Sequence, residues 1–246
     1  MKGDRNRRVL ETEEIDDGGG GCLKGRVHRP NRSRLPSRTR EPQSPLDRPL
    51  EESVIDFAVL ASGSGSNLQA LIDGGLPGLR LVISDVEDCR ALERARKASI
   101  ETAVVRYGGD RSRFTQEICD AADEAGVEAL VLAGFMRILG PEAIARFPYR
   151  ILNVHPSLLP AFPGVDAVGQ ALRAGVQVTG VTVHFVDERV DHGAIIAQRA
   201  VSVHPGDDEV SLHTRIQVTE HELYPRVVRA LVEGRLVVDN GKVIWS

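Results

Sequence analysis

Short apolar runs that alternate with helix-periodic stretches constrain this chain more than any other feature. Ile55 to Ala61 is a short apolar run, broken only by Asp56, that ends at Ser62-Gly63-Ser64-Gly65-Ser66-Asn67. A helical pattern follows at once, with Leu68, Leu71 and Ile72 at spacings of three and four. The run Leu79–Ile83, a helical stretch over Cys89–Ala98 and the run Thr102–Arg106 repeat the alternation. Arg113–Ala125 then reads as a helix and Glu128–Ala133 as a buried strand. Strands alternating with helices imply parallel βαβ units, so the expected fold class is α/β, a doubly wound, mostly parallel sheet. Continuous rather than alternating apolar runs fit strands covered by helices on both faces.

The second half offers three more strands, over Arg150–Val154, Val178–Val186 and Ala194–Val203. A long C-terminal helix from about Asp208 to Val232 buries Leu212, Ile216, Leu223, Val227 and Leu231. Asp207, Asp208 and Glu209 stand where the positive end of its dipole falls. Leu236–Val238 and Val243–Trp245 flank Asn240-Gly241, a pair suited to a type I′ turn, and so predict a β-hairpin.

Residues 1–52 are a different material. They hold 12 Lys/Arg, 10 Asp/Glu and five of the chain's 13 prolines, with a four-glycine run at Gly18–Gly21. A segment with so few apolar side chains cannot offset its ordering entropy by burial. It reads as a disordered, low-complexity N-terminal extension ahead of a folded domain over 53–246. No aromatic side chain interleaves its arginines, which argues against a nucleic-acid arm. The net charge of −4 and pI near 6.0 likewise give no reason to expect nucleic acid or an anionic membrane as partner. No apolar stretch approaches the roughly 18 residues of a membrane span, and the N-terminus lacks an apolar signal core. Three cysteines without close pairing suit a reducing cytoplasm.

Two stretches carry chemistry. The Ser62–Asn67 turn links a strand to a helix, where helix amides attract phosphate. Leu68 stands where a third glycine would complete G-x-G-x-x-G, so the turn suits a single phosphate and ribose hydroxyls better than a dinucleotide. A Gly-Ser turn without a ligand is the plainer reading. In Ile151-Leu-Asn153-Val-His155-Pro156-Ser157-Leu-Leu-Pro160, Asn153 and His155 are two apart and project from one face of a strand. An amide donor beside an imidazole suits polarising a carbonyl and protonating a leaving amine. Taken alone, a histidine before proline is more often structural. The strand through His184 leads into a loop with Asp187, Glu188 and Asp191. Asp187 and Glu188 fit a solvated acidic turn, whereas an acid such as Asp191 brought beside His155 would orient it. His184, Asp191 and His192 match no known metal-ligand spacing, so no metal is expected.

At these residues the chain resembles the phosphoribosylglycinamide (glycinamide ribonucleotide) formyltransferase family. The stretches that carry the resemblance are Leu60-Ala-Ser-Gly-Ser-Gly-Ser-Asn67, Leu132-Ala-Gly-Phe-Met-Arg-Ile-Leu139, Asn153-Val-His-Pro-Ser-Leu-Leu-Pro160, Val183-His-Phe-Val186 with Asp191, and Glu220-His221. They stand in the family's order over about Val54–Tyr224. The resemblance implies a Rossmann-like formyltransferase fold, and formyl transfer from 10-formyltetrahydrofolate to the amine of 5-phosphoribosylglycinamide in purine synthesis. It implies Asn153, His155 and Asp191 as the catalytic trio. It assigns Gly65, Ser66, Asn67, Gln217 and Glu220 to the ribonucleotide. To folate it assigns Arg111, Met136, Arg137, Ile138 and Leu139, with Asn153 and the Asp187–Asp191 loop. Small-molecule substrates are then the partners, the protein a monomer or homodimer, and 10-formyltetrahydrofolate a co-substrate with no metal needed. The chain departs from the family at Val165–Gln170, where many relatives carry histidine and arginine, and at His192, where glycine is commoner. Two other readings stand beside this one: a formyltetrahydrofolate hydrolase with the same trio, and a non-enzymatic folate or nucleotide sensor. A methionyl-tRNA formyltransferase would need a further C-terminal domain.

Overall fold

A strand buried on both faces must feed alternate side chains to two cores, and the first strand does so. In the computed structural model, which describes residues 54–246, strand β1 (Phe57–Leu60) sends Phe57 and Val59 into one core and Ala58 and Leu60 into the other. The remaining elements follow in chain order as α1 (Ser66–Asp73), β2 (Leu79–Ser84), α2 (Arg90–Lys97), β3 (Glu101–Val104), α3 (Arg111–Glu124), β4 (Ala129–Leu132), α4 (Pro141–Arg146), β5 (Ile151–His155), α5 (Ala167–Ala174), β6 (Val178–Phe185), β7 (Ile195–Ser202), α6 (Glu209–Val232), β8 (Leu236–Asp239) and β9 (Lys242–Trp245). The expected extension over 1–52 lies outside the described residues.

The seven strands β1–β7 form one sheet in the order β3-β2-β1-β4-β5-β6-β7. The pairs from β3 through β5 are parallel, while β5–β6 and β6–β7 are antiparallel. The sheet is therefore α/β, Rossmann-like and mostly parallel, with helices on both faces. One core packs side chains of α1, α2 and α6 on the sheet, and the other packs α3 and α4 on the opposite face. The chain leaves β1 for β2 in one direction and later enters β4 on the other side. The resulting crevice at the strands' carboxyl ends is where ligands bind in such sheets.

Local chemistry sets the element ends. Helix α3 starts at Arg111, two residues before the apolar pattern suggests, because the Asp110 side chain caps it by accepting from the Arg113 amide at 3.1 Å. Asp208 and Ser211 form a capping box on α6, and Asp207 pairs with Arg215 at 2.8 Å. The five apolar residues expected to anchor α6 are all buried. The fully buried Tyr224 hydroxyl donates to the Leu132 carbonyl at 2.8 Å, fastening α6 to the end of β4. Asn240 and Gly241 both take positive φ, 47° and 73°, as a type I′ hairpin turn requires. Two short helices, α4 and α5, have no counterpart in the sequence reading. No helix among the described residues is long and apolar enough to cross a membrane.

Candidate active site

The turn between β1 and α1 is built to leave amides open. Gly65 stands at the N-cap of α1 with φ 66° and ψ 32°, and no side chain caps the helix. The first turn of α1 carries no acid, so the helix N-terminus keeps unsatisfied N–H groups and a positive dipole end. Gly65 is obligatory: besides its left-handed backbone, a Cβ there would lie 2.7 Å from the Ala91 Cα.

This turn walls a cavity of about 350 Å³ together with Ala133, Gly134, Met136, Val154, Pro156, His213, Gln217 and Glu220. Glu220 is buried on α6 and accepts a hydrogen bond from Asn67 Nδ2 at 2.8 Å. Burial pushes its carboxyl pKa up against the opposing pull of that bond. Asn67 Oδ1 is buried without a partner among the described residues, an acceptor left over beside the cavity. All five residues expected at the ribonucleotide, Gly65, Ser66, Asn67, Gln217 and Glu220, thus line one cavity.

The Asn153, His155 and Asp191 side chains come together at the edge of this region without lining that cavity. On β5, Asn153 stands opposite His184 of β6 and His155 opposite Thr182. His155 is 5% exposed, and its Nδ1 lies 3.4 Å from Asp191 Oδ2. Its Nε2 lies 2.8 Å from the Phe162 carbonyl. Both ring nitrogens therefore face acceptors, and the Phe162 carbonyl, which can only accept, takes the Nε2 proton. Asp191 Oδ2 also accepts the Gly164 N–H at 2.7 Å. The turn after β5 thus contacts both ends of the pair. Thr182 braces that turn by donating to the Ser157 carbonyl and accepting from the Leu159 amide.

Sequence reasoning passed over His184 except as a rejected metal ligand. Its Nδ1 lies 2.8 Å from the Phe185 carbonyl, which can only accept, so Nδ1 carries the proton and donates. Nε2 is then an acceptor, facing the Asn153 Nδ2 donor at 3.3 Å. Burial is the largest influence on this ring and holds its pKa below the ordinary imidazole value, outweighing the Phe185 carbonyl and Asp191. A neutral His184 thereby fixes which way the Asn153 amide points.

The residues expected at folate are more spread out. Met136 and Ile138 are exposed and Leu139 is buried behind them. The Met136 amide donates to Ser62 Oγ at 2.9 Å, so the turn after β1 and the segment after β4 share one hydroxyl. Arg137 donates to Asp85 at 2.7 Å and lies over the Tyr107 ring, 4.9 Å from its centroid. Arg111 opens α3 and is exposed. The Thr115 hydroxyl connects its carbonyl to the Gly140 amide, just past Leu139. Asp187 pairs with His192 at 2.9 Å in an exposed part of the loop, a role its sequence gave no sign of.

The two departures from the family pattern are also placed. Asp166 caps α5 and pairs with Arg173, and Gln170 Nε2 donates to the Val165 carbonyl at 2.8 Å, bracing the turn before α5. Gly193 beside His192 lies so close to β6 that a Cβ there would overlap the Phe185 carbonyl oxygen.

An uncapped amide turn at the switch point of a doubly wound sheet, beside a half-buried amide, a buried imidazole and a carboxylate, is an arrangement suited to group transfer on a Rossmann-like fold. Comparison with known proteins supplies the family. The chain belongs to the formyl transferase family, whose model matches residues 55–228. It is 46% identical over 187 residues to a phosphoribosylglycinamide formyltransferase of Mycobacterium tuberculosis, covering 74% of this chain and 87% of that protein. It is 40% identical over 183 residues to the Bacillus subtilis protein of the same name, covering 72% and 94%. The crystal structure of glycinamide ribonucleotide transformylase 1 from Symbiobacterium toebii superposes with a TM-score of 0.78 at 43% identity, covering 82% of this chain and 99% of that one.

Proposed function

We propose that the chain transfers the formyl group of 10-formyltetrahydrofolate directly to the amine of 5-phosphoribosylglycinamide in purine synthesis, with residues 53–246 as the catalytic domain. The observation that carries the reading is a juxtaposition. An uncapped amide turn suited to a phosphate adjoins a group of Asn153, His155 and Asp191, with His155 buried, that is suited to acyl transfer. The acceptor amine sits next to an amide carbonyl, like a peptide α-amino group, so its free pKa should be about 7.7–8.0 and it is largely protonated near neutrality. Transfer needs a group to take that proton, one to stabilise the tetrahedral oxyanion and one to protonate the departing folate nitrogen.

In this reading Asp191 holds His155 and collects the amine's proton, directly or through water. Asn153 gives one Nδ2 proton to His184 and keeps the other for the oxyanion. His155 stabilises the oxyanion and acts as general acid. A substrate that uses its Nε2 must replace the Phe162 carbonyl as partner. Gly65, Ser66 and Asn67 hold the phosphate, and Gln217 and Glu220 hold the ribose side. Folate lies against Met136–Leu139, Arg111 and the Asp187–Asp191 loop. The reading places the reaction among small molecules in the cytoplasm, with the protein as a monomer or homodimer. A hydrolase would use the same trio, but a phosphate cradle beside the trio favours an acceptor that bears a phosphate.

The test is an assay of the purified protein with 10-formyltetrahydrofolate, with and without the ribonucleotide. Tetrahydrofolate is expected only when the acceptor is present, together with formylated ribonucleotide. Equal release without the acceptor refutes the transferase reading in favour of hydrolysis.

A further inference from the structure

We infer that Arg94, on α2 and outside the cavity wall, is the positioning residue that aims the phosphate-binding amides; the inference rests on the function proposed above. Three contacts press α2, from Ala91 to Arg94, against the glycine turn. The Ala91 amide donates to the Gly63 carbonyl at 3.1 Å. Gly65 packs on Ala91 so closely that no Cβ fits between them. Arg94 Nε donates to the Ser64 carbonyl at 2.9 Å while its Nη1 donates to Gln69 Oε1 at 2.8 Å. Gln69 in turn donates to Asp73, so the guanidinium is braced along α1.

Peptide geometry converts these contacts into an orientation. In a trans peptide the C=O and the following N–H point in opposite directions, and the Gly63–Ser64 and Ser64–Gly65 bonds are both trans. The Gly63 carbonyl turned to Ala91 directs the Ser64 N–H away from α2. The Ser64 carbonyl turned to Arg94 does the same for the Gly65 N–H. The cavity is lined by the whole turn, Ser62 to Asn67, and by no residue of α2, so both amides face its side. Arg94 also sets a full positive charge behind the turn, where it favours an anion in front. Without the Arg94 bond the Ser64 carbonyl loses its side-chain partner, the Ser64–Gly65 peptide is held less firmly, and one phosphate donor is less well aimed.

The experiment measures both substrates' kinetics and inorganic phosphate binding in the full chain. Arg94→Ala is expected to raise acceptor KM about tenfold, the loss of one partly exposed charged hydrogen bond. Turnover at saturating acceptor and KM for the folate should change less than about threefold on the same scale. Inorganic phosphate, as a competitive inhibitor of the acceptor and by calorimetry, should weaken by the same factor as the acceptor. Arg94→Lys, which keeps a charged donor able to reach the Ser64 carbonyl, should recover most of the loss. If Arg94→Ala does not fold, Arg94→Gln, which keeps the stem but not the charge, carries the same expectation. A folded variant with unchanged acceptor KM and phosphate binding overturns the inference, as does an equal rise in both substrates' KM. Wild-type protein that binds no phosphate also overturns it. Should the protein fail to formylate the ribonucleotide yet bind phosphate through Arg94, the positioning role stands and the proposed acceptor falls.

Discussion

Asp191→Asn tests the mechanism most directly because the structure confines what it changes. The carboxylate lies 3.4 Å from His155 Nδ1, both side chains being under a tenth exposed. At an effective dielectric of about 20, a carboxylate and an imidazolium at that separation attract by about 5 kcal/mol. Each tenfold in rate is about 1.4 kcal/mol of barrier, so losing the whole attraction in the transition state would cost between three and four orders of magnitude. Asparagine keeps a carbonyl oxygen that can still accept from Gly164 and point its dipole at the ring, which retains part of the effect. The expected fall in kcat is therefore about 10²–10³-fold, inside the usual range for general acid–base contributions. Asp191 takes a left-handed backbone, φ 53°, which asparagine tolerates as readily as aspartate, so no new strain is added. Circular dichroism should show a folded variant, and calorimetry should show both ligands bound nearly as before. Single-turnover formyl transfer then reports the chemical step alone. A folded, ligand-binding Asp191→Asn with kcat within about threefold of wild type would refute the reasoning, and the proton acceptor would have to be another group.

Two further outcomes follow from the packing. Gly65→Ala should lower the unfolding free energy by at least about 2 kcal/mol in urea, since it combines left-handed strain with a backbone clash at Ala91; a stability-neutral variant would show that the turn is not held as described. His184 has a folded-state pKa below its ordinary 6.5, so the unfolded chain takes the proton first. The contribution of this group to stability is intact above that ordinary value and is lost as pH falls through it toward the lower folded value. The His184→Asn variant should lose less stability than wild type between about pH 7.5 and about pH 5.5 in urea melts, and an equal loss would sink the assignment.

The sequence makes β1 to β4 legible because each centres on a short apolar run next to a helix-periodic stretch; β1 and β4 are apolar and buried throughout, whereas β2 carries Arg80 and Ser84 and the edge strand β3 carries Glu101 and Thr102. Helix α4 escapes that reading because six residues are too few to build a recognisable stripe, and α5, although as long as α1 and α2, buries mostly small residues, Ala167, Gly169 and Ala171 beside Val168. Their signals lie at their ends instead. Pro141 stands at the first turn of α4, Asp166 caps α5, and Gly175 closes α5 with φ 68°. Asn153 and His155 could be paired from their spacing alone, since alternation along a strand is local. His184 could not be added to them. Its place opposite Asn153 is a matter of register between β5 and β6, and nothing in either strand announces the register of the other.

The position of Asp191 shows why the site needs the sheet's reversal after β5. Because β6 runs antiparallel to β5, its last residue, Phe185, lies beside Leu152, toward the entry end of β5. A loop continuing in the direction of β6 would carry its acid away from His155, which stands at the opposite end of β5. The chain instead doubles back, so that Asp191 Oδ2 reaches His155 at 3.4 Å and Oδ1 lies 3.7 Å from His184. Such a return demands two local concessions. Asp191 itself adopts a left-handed backbone, and Gly193 lies against the Phe185 carbonyl where no side chain fits. His192 between them is exposed and pairs across the loop with Asp187 at 2.9 Å, joining the start of the return to its end.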